Sequence, residues 1–107
     1  MDTYQFGQIV LLSFPFTDGK TISKRPALIL SDTGDEDIIV CRITSSDFNT
    51  VFDIKILASA ENGLKLDSAI RIHKLATLEK RRVDRIIGKV EKSYHNGVVT
   101  IFKKLIS

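Results

Sequence analysis

Cysteine occurs once in this 107-residue chain and histidine and proline only twice each. The lone Cys41 rules out an internal disulfide, and one cysteine with two distant histidines makes no zinc-ligand pattern. No metal or other cofactor is therefore expected. No apolar run approaches the roughly 18–20 residues of a membrane span. The opening MDTYQFGQ has neither the basic start nor the apolar core of a signal peptide, so a cytoplasmic protein with no membrane partner is expected. Internal repeats, low-complexity tracts and linkers are absent too.

What is present fits one globular domain over residues 1–107. Hydrophobic residues make up 43% and charged residues 27% of the chain, which supports a modest core and argues against disorder. The net charge of +3 is unevenly spread. Residues 1–70 hold six Lys/Arg against ten Asp/Glu, whereas residues 71–107 hold ten against three. A basic half of this kind attracts phosphates or acidic peptides, or is simply a solvated face.

Periodicity outlines a mainly β fold. Gln8–Phe14, Pro26–Ser31 and Ile38–Thr44 are short, apolar and rich in β-branched residues, and read as buried strands. Asp32–Asp37, with Gly34 near its centre, reads as a hairpin turn. Alternation sets Thr44 on the same face as Arg42, beside the loop Ser45-Ser46-Asp47. Phe52–Leu57 alternates with Phe52, Ile54 and Ile56 inward and Asp53 and Lys55 outward. A turn at Glu61-Asn62-Gly63 leads to a fifth strand within Leu66–His73. Thr77–Arg85 is expected as a short helix or turn, and Arg85–Val90 as a last strand. From Ser93, Tyr94, Val98, Ile101, Phe102 and Leu105 line one stripe of a helix. Five or six strands and one helix suggest a small bent antiparallel sheet or barrel with the helix packed on it.

One segment stands out. FPFTDGKTISKRPALIL, residues 14–30, carries both prolines, one at each end of a connection longer and more cationic than a tight hairpin needs. Pro15 sits between Phe14 and Phe16. Those rings can stack on bases or pack as core and rim. Pro26 follows Lys24-Arg25 and biases Arg25 toward an extended conformation.

The stretch GQIVLLSFPFTDGKTISKRPALILS resembles the opening of the MazF/PemK family of toxin endoribonucleases from type II toxin–antitoxin systems. Further matches are ITSS at 43–46, LDSAIRIHKLATLEK at 66–80 and IIGKV at 86–90, so the similarity spans nearly the whole chain in order. It implies an SH3-like antiparallel β-barrel with a C-terminal helix, acting as a homodimer. It also implies metal-independent cleavage of single-stranded RNA, with a cognate antitoxin that blocks the RNA surface. By the same resemblance Arg25 and Thr44 are the catalytic residues, and Ser45 is Thr44's polar neighbour. The loop departs from the family in having no doubled basic residue beyond Lys24-Arg25.

The chemistry fits those residue types in part. Cleavage through the ribose 2′-OH needs that oxygen deprotonated, the phosphate charge stabilised and the 5′-oxygen protonated. A guanidinium at Arg25 can grip a phosphate through two parallel hydrogen bonds, and the Thr44 hydroxyl can donate or accept one. Neither is a good proton shuttle near neutrality. Asp18, Asp67, His73 and His95 are the remaining candidates, with His73 of a type that titrates in the right range. RNA contacts are expected from Phe14, Phe16, Thr17, Asp18, Lys20, Lys24, Ser45, Ser46 and His73. Segment 17–24 would form a lip over the cleft. Two other readings share the fold: a non-enzymatic toxin or binding module such as a gyrase poison, and a relative that binds RNA without turnover.

Overall fold

The computed structural model describes residues 3–15 and 22–107. Among these residues six strands, β1 (Gln8–Pro15), β2 (Ile22–Asp32), β3 (Asp37–Thr44), β4 (Asp53–Ile56), β5 (Ser68–Glu79) and β6 (Val83–Lys89), precede one helix, α1 (His95–Leu105). Every pairing is antiparallel, and the order across the sheet is β4-β5-β3-β2-β1-β6. The mainly β expectation holds: the sheet is barrel-like, with β4 and β6 as its unpaired edges among the described residues.

Strands β1 to β3 are apolar on both faces because both are covered. Ile9, Leu28, Cys41 and Ile43 enter one cluster with Ile56, Ile70 and Ile72, and α1 lies over it. Val10, Leu12, Ala27, Ile29, Ile38 and Val40 form the other, capped by Tyr4 and by Ala76, Leu78 and Val83. One strand, β5, serves both clusters. Its register against β3 jumps from Cys41↔Leu75 to Arg42↔Arg71, and an irregularity of this kind bends a sheet sharply.

Several boundaries differ from expectation. Strand β2 begins at Ile22, so Pro26 lies inside it. Strand β5 runs on to Glu79, followed by a 3-10 turn at Lys80–Arg82 and then β6, where a short helix or turn was expected. The polar outer residues of β5 hide the inward Ala76 and Leu78. A 3-10 turn, Lys92–Tyr94, precedes α1. Helix α1 buries Val98 and packs Ile101 and Leu105 on the core, joined by Tyr94 from the preceding turn, while Phe102 of the expected stripe remains 37% exposed.

The gap between β4 and β6 is bridged by a turn. Lys89 N–H donates to Glu61 O at 3.0 Å, and Asn62, fully buried, organises the turn. Its Oδ1 accepts from Ser59 N–H and Leu64 N–H, and its Nδ2 donates to Leu57 O and Glu91 Oε1. Buried amides with all partners supplied rigidify a fold.

At the other end, Asp32 terminates β2. It accepts hydrogen bonds from Tyr4 N–H at 2.8 Å and Gly34 N–H at 2.9 Å and pairs with Lys80 Nζ at 2.9 Å. The two backbone N–H groups, then Lys80, lower its pKa from 3.8 to about 2. The fold therefore favours ionised Asp32. Its stabilisation is complete above the unfolded value of 3.8 and is lost as pH falls toward about 2. Melting temperature should drop across that window, and Asp32→Asn should flatten the drop. An unchanged acid limb in Asp32→Asn would remove Asp32 as its cause.

Candidate functional site

The β2–β3 ladder stops at Ala27↔Arg42. Continuing that register would set Pro26 beside Ile43 and Arg25 beside Thr44. Pro26 has no N–H to extend the ladder, and a cleft of about 570 Å³ is lined by these four residues. Lys24, Arg25 and Pro26 form one side, and Arg42, Ile43, Thr44, Ser45 and Ser46 another. Leu64, Lys65, Leu66 and Ser68 contribute from the segment entering β5, and Arg85 and Ile87 from β6.

The lining has one electrical sign. It includes Lys24, Arg25, Arg42, Lys65 and Arg85, and among the described residues no carboxylate or imidazole. Asp84 stands beside it, 3.2 Å from Lys24 Nζ and 3.1 Å from Arg85 Nη1. Low-dielectric walls lined by cations focus attraction on an anion. Asp84→Asn should therefore raise affinity for a single-stranded oligonucleotide a few-fold at low salt and steepen its salt dependence. A titration by fluorescence anisotropy reads both, and unchanged affinity would mean that Asp84 does not temper this cleft.

Thr44 is half-buried at the end of β3. Its Oγ1 accepts the Ser46 N–H at 3.2 Å. With one lone pair so engaged, the hydroxyl proton is free to donate to an incoming oxygen.

The structure thus brings Arg25, Thr44, Lys24, Ser45 and Ser46 to one cleft and leaves both histidines outside its lining. His73 packs on the Phe52 ring with centroids 5.4 Å apart. Its Nε2 is 3.4 Å from Arg71 Nη2, and its buried Nδ1 has no hydrogen-bond partner among the described residues. His95 meets Phe6 edge to face, centroids 5.1 Å apart. Asp67 accepts the Ala58 N–H at 2.8 Å and does not line the cleft. Phe14 belongs to β1, opposite Ser23. Phe16, Thr17, Asp18 and Lys20 lie outside the described residues. Cys41 is inert, since burial pushes its thiol up to about 12.

Arg42, Lys65, Ser68 and Arg85 were not singled out from the sequence as site residues. Arg42 alone had a signal, its shared face with Thr44. A second cavity of about 390 Å³ shares Arg25, Pro26 and Arg42 with the first and adds Lys74 over an apolar floor that includes Val40 and Leu75.

Taken together, fold and site define a small barrel-like β protein with a cation-lined cleft where two core strands part. Residues 5–106 match the family of the PemK-like, MazF-like toxins of type II toxin–antitoxin systems, and the chain belongs to that family. Similar solved structures agree in fold. A MazE–MazF structure from Deinococcus radiodurans has a TM-score of 0.79 at 20% identity, covering 96% of this chain and 95% of that one. A mycobacterial endoribonuclease in complex with its cognate antitoxin has a TM-score of 0.78 at 16% identity over 97% and 95%. The Mycobacterium tuberculosis toxin MazF-mt6 has a TM-score of 0.76 at 19% identity over 92% and 95%. Among curated proteins none matches by sequence.

Proposed function

We propose that this toxin is a metal-independent endoribonuclease that cuts single-stranded RNA through attack of the ribose 2′-OH, and thereby inhibits growth. The observation that carries the reading is the Arg25/Thr44 pair in a cleft whose lining includes five cations and, among the described residues, no carboxylate. Arg25 grips the scissile phosphate and stabilises the charge that builds on its non-bridging oxygens. Thr44 donates a hydrogen bond from its hydroxyl to one of those oxygens. The 2′-oxygen bonds to phosphorus as its proton passes to solvent water, the bond to the 5′-oxygen breaks as that oxygen takes a proton from water, and the products are a 2′,3′-cyclic phosphate and a 5′-hydroxyl. In-line positioning of the 2′-OH supplies a further part of the rate. Support also comes from a similar structure, that of a mycobacterial endoribonuclease in complex with its cognate antitoxin.

The same reading makes the working unit a homodimer and its regulator a cognate antitoxin that covers the cleft. Cleavage of a long single-stranded RNA by the purified protein in EDTA tests it. Fragments at discrete positions are expected, and RNA left intact at saturating protein would overturn it.

A further inference from the structure

Outside the cleft, the described residues include a buried ion pair. Arg71 Nε lies 2.9 Å from Asp53 Oδ1, with side chains 9% and 1% exposed. Alternation had set Asp53 outward, but the strand register brings it beside Arg71, with Arg42 on Arg71's other side. Two arginines in register repel. Asp53 takes up the Arg71 charge, while Arg42 is exposed and lines the cleft.

Buried ion pairs are weak sources of stability because desolvation offsets the attraction. The partners of this one point to another use. The Arg71 guanidinium carbon sits 3.7 Å from the centroid of the Phe48 ring. Asp53 Oδ2 accepts the Thr50 N–H at 2.9 Å and the Thr50 hydroxyl at 2.7 Å. Phe48 and Thr50 both belong to the loop that leaves Thr44, and Ser46 of that loop donates to Thr44 Oγ1. Burial opposes ionisation of Asp53, but the bonds from Arg71 and Thr50 outweigh it and leave its pKa lowered.

We propose that Arg71 and Asp53, capped by Phe48, are positioning residues for Thr44. They hold loop 45–52 so that the Ser46 N–H stays on Thr44 Oγ1 and its hydroxyl proton faces the cleft. In kinetic terms this rests on the cleavage reading; as a statement about the loop it stands without it.

The test uses Phe48→Ala in the full chain, because Arg71→Ala would leave Asp53 buried and unpaired and threaten the fold. Amide hydrogen exchange at Ser46 should quicken roughly tenfold while Ile70 in the core stays protected. The turnover number for RNA cleavage should fall roughly tenfold with KM within about twofold. Added to Thr44→Val, Phe48→Ala should cost no further rate, since its effect passes through the Thr44 hydroxyl. Unchanged exchange at Ser46, or an equal loss of rate on the Thr44→Val background, would overturn the proposal. If the wild type cuts no RNA, the cleavage reading falls and the exchange measurement alone decides the positioning.

Discussion

Replacing Arg25 by alanine should slow RNA cleavage roughly 10²–10³-fold, the usual loss when one preorganised charge-stabilising donor is removed. The loss belongs in the turnover number, because the grip matters most when the phosphate carries its extra charge. Arg25 is exposed, so its truncation should change stability by only about 0.5 kcal/mol. Arg25→Lys should recover a part of the rate, since it restores the charge but not the planar fork. Initial rates at saturating RNA, with thermal melts alongside, separate the two effects. An Arg25→Ala protein that cuts as fast as wild type would remove Arg25 from the reaction.

The largest stability effects are expected where the bridging turn meets β6, at Gly88 and Gly63. A Cβ there would overlap the carbonyl of Glu61 and the backbone of Asn62, where the turn bridging the sheet meets β6. The contact is backbone against backbone, so no side chain can swing aside. Gly88→Ala should cost about 3 kcal/mol, or a melting-temperature loss of roughly 10 °C or more. Gly63, at φ +73°, faces the Ile87 carbonyl across the same contact and should be as intolerant. Gly34 is the control. Its φ of +92° strains any side chain, but nothing lies within 4 Å, so alanine should cost only about 1–2 kcal/mol. A Gly88→Ala protein that melts like wild type would mean that the turn can move off β6.

Much of this fold is legible from alternation. Strands β1 and β3, the Asp32–Asp37 turn and the buried stripe of α1 follow from local patterns of apolar residues. Strand β5 is read short because Lys74, Thr77 and Glu79 interrupt its apolar residues, and polar residues beyond His73 imitate a turn. Asp53 is misread for a related reason. Alternation assigns a carboxylate to water, and only the non-local register brings Arg71 to it.

The site is less legible. Arg25 and Thr44 were singled out through family resemblance, since an arginine before a proline and a threonine at a strand end are unremarkable alone. Arg85 and Lys65 reach the cleft only because β6 and the segment before β5 converge on it, which no local pattern reports. His73 has the chemistry of a proton shuttle but packs against Arg71 and Phe52 instead.

The most direct test of the central claim is the chemistry of the cut. A single-stranded RNA is incubated with the protein in EDTA, and its new ends are analysed beside those of a substrate bearing one 2′-deoxynucleotide at a mapped cleavage position. The account predicts 2′,3′-cyclic phosphate and 5′-hydroxyl ends, and no cutting at the 2′-deoxy position. Cleavage that persists there, or that leaves 5′-phosphates, would contradict it.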